Sequence, residues 1–299
     1  MVIGWFAFQT GLTGSTLHST LGWNETAMIA LAGVLYIAVT AVGIRALAVL
    51  GAIAAPLFVV LGVIAISLAA AGGGLGGVLS YPGVTGGSAA LTVGAAITIT
   101  IAGFADSGTM TADFTRWART GRQAAIASSS AFPLANFVAM GVGGVIVAAG
   151  AATDPAANGG DFLNLLVGHG PVLQVIAVAF VFINLGSVCT HCLYNGAVGW
   201  SHITGSRMRL LTVILGVVGL AAAVAGVWSL FETWLNVLGV FVPPIGAVII
   251  TDQVLLARRF APRPDVAWRP TPSSRGRRER RPPRPYTSSL PPTPKPSWG

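Results

Sequence analysis

The chain has 299 residues, 54% of them apolar and only 9% charged, with a net charge of +8. A soluble domain carries about 25% charged residues, so an ordinary globular protein is excluded, and the apolar content excludes disorder for the bulk of the chain. Residues 1–260 hold eight arginines, no lysine and seven acids, whereas residues 261–299 hold nine basic residues, two acids and eleven of the eighteen prolines. The expected organisation is therefore a nearly neutral, apolar body over 1–260 and a basic, disordered tail over 261–299.

A membrane-spanning helix needs about 20 mostly apolar residues. In chain order, the segments that meet or approach this are 2–17, 26–44, 46–71, 88–106, 124–151, 171–190, 208–229 and 233–256. Nothing alternates as a barrel strand does, and backbone amides cannot stay unpaired in lipid, so the segments are expected to be helices. The fold class is all-α and integral to the membrane. The first span is short and lacks the positive n-region of a signal peptide, which predicts a truncated or misassigned start.

The arginines predict the orientation, because positive loops stay cytoplasmic. Arg45, then Arg116, Arg119 and Arg122, then Arg207 and Arg209, then Arg258 and Arg259 occupy alternate connections. The intervening connections carry Glu25, Asp154, Asp161 and Glu232 and no basic residue. An eight-helix zigzag in the cytoplasmic membrane, with the first residue and the tail cytoplasmic, satisfies all of these positions. Gly43, Gly51, Gly62, Gly141, Gly143 and Gly144 are candidates for close helix contact.

Ionisable or bonding residues at membrane depth are costly and mark functional sites. Gly103-Phe104-Ala105-Asp106-Ser107-Gly108-Thr109, at the end of the fourth span, has the composition of an unwound helix facing a cavity. A plain helix end with Asp106 solvated fits the same residues. Asp113 and Arg116 are three apart and suit a helix-face pair, as a gate or as an interfacial anchor. Asn184, Ser187 and His191 recur at helical spacing and line one face. Cys189 and Cys192 form C-x-x-C, but without a second pair the spacing is better explained by helix packing than by metal or redox chemistry. Pro243-Pro244 should kink or break the last span. There is no P-loop, no Ser-His-Asp arrangement and no acid pair at catalytic spacing, so no enzyme and no cofactor are expected. The tail has no nucleic-acid-binding fold. The expected partners are membrane lipids and a small molecule, not nucleic acid.

Four blocks carry a family resemblance: Gly4-Trp5-Phe6; Ser107 through Trp117; Leu193-Tyr194 through Ile203-Thr204-Gly205; and Pro243-Pro244-Ile245-Gly246 through Thr251-Asp252. In this order they resemble the cytosine permeases of the nucleobase:cation symporter-1 (purine–cytosine permease) family, over residues 1 to about 260. The resemblance implies a leucine-transporter-like inverted-repeat bundle in which the eight spans look like family helices three to ten. It implies a secondary transporter that imports a nucleobase-like molecule with a coupling cation, Na+ or H+. By the same resemblance, Trp5 and Phe104 sandwich the base, while Asn184 and the backbone around Gly103 to Ser107 bond its edge. Asn184 (carbonyl) and Ser187 (hydroxyl) match half of a sodium site, and Gly103–Thr109 matches the family's discontinuous sixth helix.

The chain also departs from the family pattern. Val188 stands where relatives carry a sodium-binding Thr, and Asp106 where cytosine transporters place a small neutral polar residue. Cys189, Thr190 and His191 replace an Asn–Asp–Asn run, and a family glutamine one turn before the Trp falls at Val2. Asp106, with His191, is thus a candidate for proton coupling or for recognition of a different base. Family helices one and two have no counterpart, so a non-transporting fragment is the alternative reading, and a membrane-anchored lipid or nucleic-acid binder using the basic tail is a weaker one. The Arg/Pro/Ser-rich run after Trp268-Arg269-Pro270 is what a GC-rich gene yields when Ala, Val and Gly codons are read out of frame. It predicts a frameshift near residue 270, which an apolar stretch in an alternate frame would reveal.

Overall fold

The structure, a computed structural model, describes residues 2–72, 74–83, 92–115, 117–151 and 161–252; at 74, 104–110, 112, 113, 232 and 249 it describes the backbone alone. The tail expected over 261–299 lies outside the described residues. Nine α-helices organise the described chain: α1 (Val2–Leu21), α2 (Glu25–Val42), α3 (Ile44–Ala71), α4 (Val93–Thr115), α5 (Gly121–Ala148), α6 (Leu163–Val167), α7 (Pro171–Thr204), α8 (Met208–Val224) and α9 (Phe231–Thr251). All but the short α6 fall on the eight apolar segments of the sequence. Among the described residues, α2, α3, α5 and α7 are long and apolar enough to cross a membrane.

Local chemistry sets the helix ends. Asn24 caps α2 by accepting the Ala27 N–H at 2.8 Å, and Glu25 complements the helix dipole in its first turn. Gly43 has φ +105°, a conformation that favours glycine, and there α2 stops and α3 begins. It is a hinge between helices and not the close-contact residue that the sequence predicts. Pro171 opens α7, and Gly205, left-handed at φ +68°, closes it. In α5, Ser130–Leu134 around Pro133 is a π-helical turn, which absorbs the missing proline N–H without ending the helix.

Two expected breaks are not found in the described backbone. α4 runs unbroken from Val93 to Thr115 through the Gly103–Thr109 segment that both composition and family resemblance predict to be unwound. Two glycines cost a helix only about 1 kcal/mol each and leave its backbone hydrogen bonds intact, so they permit a break without imposing one. α9 likewise continues through Pro243 and Pro244, so the last span is not broken there. In a membrane protein, neighbouring groups and local adjustment tolerate the lost donors.

Lipid gives helices no hydrophobic reason to associate, so packing rests on close van der Waals fit. α1, α2, α7 and α8 pack against one another, and glycines bring them together. A Cβ at Gly186 on α7 would fall 2.5 Å from the Tyr36 ring of α2, and one at Gly219 on α8 would fall 2.6 Å from the Phe6 ring of α1. Gly33, Gly196 and Gly216 make comparably tight contacts with Leu220, Val2 and Ile37. Of the glycines singled out from sequence, Gly62 does approach Val142 of α5 at 3.2 Å, whereas Gly141 and Gly144 have nothing within 4 Å.

α3 lies on α7 and α5. At one end of the bundle, Leu47, Tyr194 and Val198 form a buried cluster with Ile44 and Met208 against it. At the other end, Phe162, Leu163 and Leu166 of the short α6 segment are buried with Leu17, Leu61, Ile146 and Phe180. α4 packs chiefly on α9, through Ala102, Leu235, Leu238 and Val242.

Candidate substrate and ion site

Trp5 lies on the first turns of α1 and meets α9 through aromatic edges. Its ring centroid is 5.3 Å from Phe231 and 5.2 Å from Trp234, both at T-shaped angles. One turn on, Phe8 stacks flat on Phe231 at 3.5 Å. Gly4 makes room for this contact, since a Cβ there would stand 2.8 Å from the Trp234 ring. The indole Nε1 of Trp5 is buried with no hydrogen-bond partner among the described residues.

Gln9, four residues after Trp5, shares its helix face. It is only 8% exposed, and its Oε1 is also buried without a partner among the described residues. A buried polar atom left unpaired costs about 1–3 kcal/mol. Two of them on one helix face present a donor and an acceptor to the same neighbourhood. Hydropathy alone does not single out Gln9. The signal that finds it is its i, i+4 spacing from Trp5 inside an otherwise apolar span. Val2, where the family pattern puts a glutamine, instead packs its side chain onto Gly196.

Around these residues the bundle's polar groups bond to one another. Thr13 donates its hydroxyl to the Gln9 carbonyl at 2.8 Å, so the Tyr36 hydroxyl 3.0 Å away donates to Thr13 Oγ1. Cys189 donates to the Phe6 carbonyl, and Thr10 Oγ1 lies 3.4 Å from its sulfur. Cys189 and Cys192 are both buried in α7, and neither forms a disulfide. Cys189 packs with Phe6, Ala32, Tyr36 and Leu193.

Ser187 and His191 on α7 face Gly51 of α3, whose Cβ position lies 3.8 Å from Ser187 Oγ and 3.9 Å from His191 Cε1. The His191 ring also packs on Phe114 of α4, with centroids 5.0 Å apart. Its Nδ1 bonds the Ser187 carbonyl. A carbonyl only accepts, so Nδ1 carries the proton, and in the neutral ring Nε2 keeps an accepting lone pair. Asn184 is half-buried one turn before Ser187. Val188, at the position of the family Thr, is 42% exposed. Gly103 is half-buried with open space at its Cβ position. The side chains of Phe104, Asp106, Ser107 and Asp113, and all of Arg116, lie outside the described residues. The roles expected of them rest on sequence.

The sequence model of the family described as "permease for cytosine/purines, uracil, thiamine, allantoin" matches residues 2–262. The chain belongs to this permease family. Cytosine permeases of Escherichia coli strain K12 and of strain O6:H1 are each 31% identical to it over 258 residues, which is 86% of this chain and 58% of theirs. The O157:H7 cytosine permease matches to the same extent. The chain thus spans somewhat more than half the length of these relatives. They are named as permeases, not enzymes, in agreement with the absence of catalytic motifs. Family membership and the long apolar helices together make this a membrane protein.

Proposed function

We propose that the chain is part or all of a secondary transporter that imports cytosine or a related heterocycle by alternating access. The observation that carries this reading is the pair of unpartnered buried groups, Trp5 Nε1 and Gln9 Oε1, beside an aromatic face in a member of a nucleobase permease family. A planar base stacks on an indole, and a glutamine amide can meet a base edge with a donor and an acceptor together. Phe104 completes the sandwich, and Gly103, Asp106, Ser107 and Asn184 bond the remaining edge, as the family resemblance implies. Pro243, Pro244, Asp113 and Arg116 serve gating, and α9 closes over Trp5 with Phe231 and Trp234. The bundle takes the leucine-transporter-like inverted-repeat form of its relatives. It lies in the cytoplasmic membrane with its arginine-bearing connections on the cytoplasmic side.

The coupling cation is H+ or Na+. Asn184 and Ser187 suit Na+, but Val188 supplies no oxygen, and the lone pair of His191 Nε2 suits a proton, with Asp106 as its partner in coupling. Radiolabelled cytosine uptake in cells lacking their own permease tests the reading, comparing this chain with an upstream-extended form. Uptake by the extended form alone would favour the non-transporting fragment. In whichever form transports, Gln9→Leu is expected to lower uptake about tenfold at unchanged membrane abundance, the cost of one substrate hydrogen bond. Wild-type uptake and pH dependence in Asp106→Asn would remove Asp106 from the coupling role.

A further inference from the structure

We propose that Arg45, Arg207 and Arg209 form a docking site for the headgroup of an anionic phospholipid at one rim of the bundle. Arg45 follows Ile44 at the start of α3, and Arg207 and Arg209 flank Met208 at the start of α8. Ile44 and Met208 both pack on the buried cluster of Leu47, Tyr194 and Val198. Arg45 is remote in sequence from the other two, yet one apolar cluster holds both of the helix starts that carry them. All three arginines therefore belong to the same rim.

All three side chains are exposed, and none has a carboxylate partner among the described residues. The sequence gives them no nearby counter-charge: no acid occurs between Glu25 and Asp106, or between Asp161 and Glu232. Three guanidinium groups with no carboxylate partner among the described residues form a complementary surface for a phosphodiester, which arginine binds through paired N–H donors. Val49 lies one turn beyond Arg45, Leu210 adjoins Arg209, and Trp200 and Ile203 lie on the last turns of α7, which lead into Arg207. Each of these four apolar residues is more than half exposed. A free phosphate has no use for such apolar neighbours, whereas the acyl chains of a phospholipid lie along them. The occupant is therefore a phospholipid with a net negative headgroup.

The test uses the full chain purified in detergent, with native mass spectrometry to count bound lipid and thermal unfolding to read its effect. The probes are phosphatidylglycerol, phosphatidylcholine and inorganic phosphate. Phosphatidylglycerol should stay bound and raise the unfolding temperature, while phosphatidylcholine and phosphate should do neither. Each of Arg45→Gln, Arg207→Gln and Arg209→Gln should weaken phosphatidylglycerol retention about fivefold, the effect of one basic residue near an anionic surface. The single variants keep the test usable if the triple variant does not fold. Arg119→Gln/Arg122→Gln, in the α4–α5 connection and the first turn of α5, controls for total charge and should leave retention unchanged. Equal retention of both lipids, competition by phosphate, or equal loss in the control pair would overturn the proposal.

Discussion

The four helices α1, α2, α7 and α8 and the pair α4 and α9 are joined to different extents. The first group meets through glycines, with side chains such as Tyr36 and Phe6 seated directly on the facing backbone, and its internal hydroxyls and thiol are bonded to one another. The α4–α9 pair packs chiefly on itself. It reaches α1 through Phe231, which stacks flat on Phe8, and Trp234, which sits over Gly4, and α7 through the Phe114 ring on His191. Glycine contacts leave no slack, because any added atom separates two backbones. The frame carrying Gln9 and Ser187 is therefore joined on every side, and the second unit, carrying Gly103 and the proline pair, meets it at fewer places.

The largest expected effect is in the frame. Gly186→Ala puts a methyl 2.5 Å from the Tyr36 ring and should cost about 1–3 kcal/mol through overpacking, read as a lower unfolding temperature in detergent. Tyr36→Phe removes the hydroxyl that bonds Thr13 and should cost about 1 kcal/mol by the same measurement. Gly103→Ala, in the second unit, has open space for its methyl and should stabilise α4 by about 0.5–1 kcal/mol. If α4 must unwind at this point during transport, the same variant lowers uptake while raising stability. A destabilising Gly103→Ala would erase the distinction between the tightly packed frame and the second unit.

The smallest effect belongs to the connection before α6. Burial raises the Asp161 carboxyl above its ordinary value, partly offset by the bond it accepts from the Leu163 N–H at 2.9 Å. The folded state therefore holds this proton more tightly than the unfolded chain. Stability should fall as pH rises from the ordinary aspartate value through the raised one. Asp161→Asn keeps an oxygen to accept from Leu163 and removes the charge, so its unfolding temperature should exceed that of the wild type only above that window.

The spans are legible in the sequence because hydropathy reports what lipid touches. Their ends are less so: α7 continues past residue 190 to Thr204, since Thr190, Tyr194 and Asn195 are polar but buried inside the bundle, where a hydropathy window mistakes them for a loop. The π turn at Ser130–Leu134 and the α6 segment leave no periodic trace. In the site, helical spacing finds Ser187 and His191, and they do share a face toward Gly51. Gln9 escapes a reading that puts the family glutamine one turn before Trp5, at Val2, because the residue that is buried and polar lies one turn after it. The unbroken α4 shows the limit of composition: glycine lowers the cost of unwinding without specifying when it happens.

The aromatic contact between α1 and α9 also has an optical consequence. Trp5 and Trp234 stand 5.2 Å apart, close enough for excitation absorbed by one indole to migrate to the other. A heterocycle settling on Trp5 would quench both together, and a displaced α9 would change their coupling. The chain therefore carries its own fluorophore pair at the place where cargo and gate are proposed to meet. Emission from a variant that keeps only these two indoles can follow both events in one cuvette.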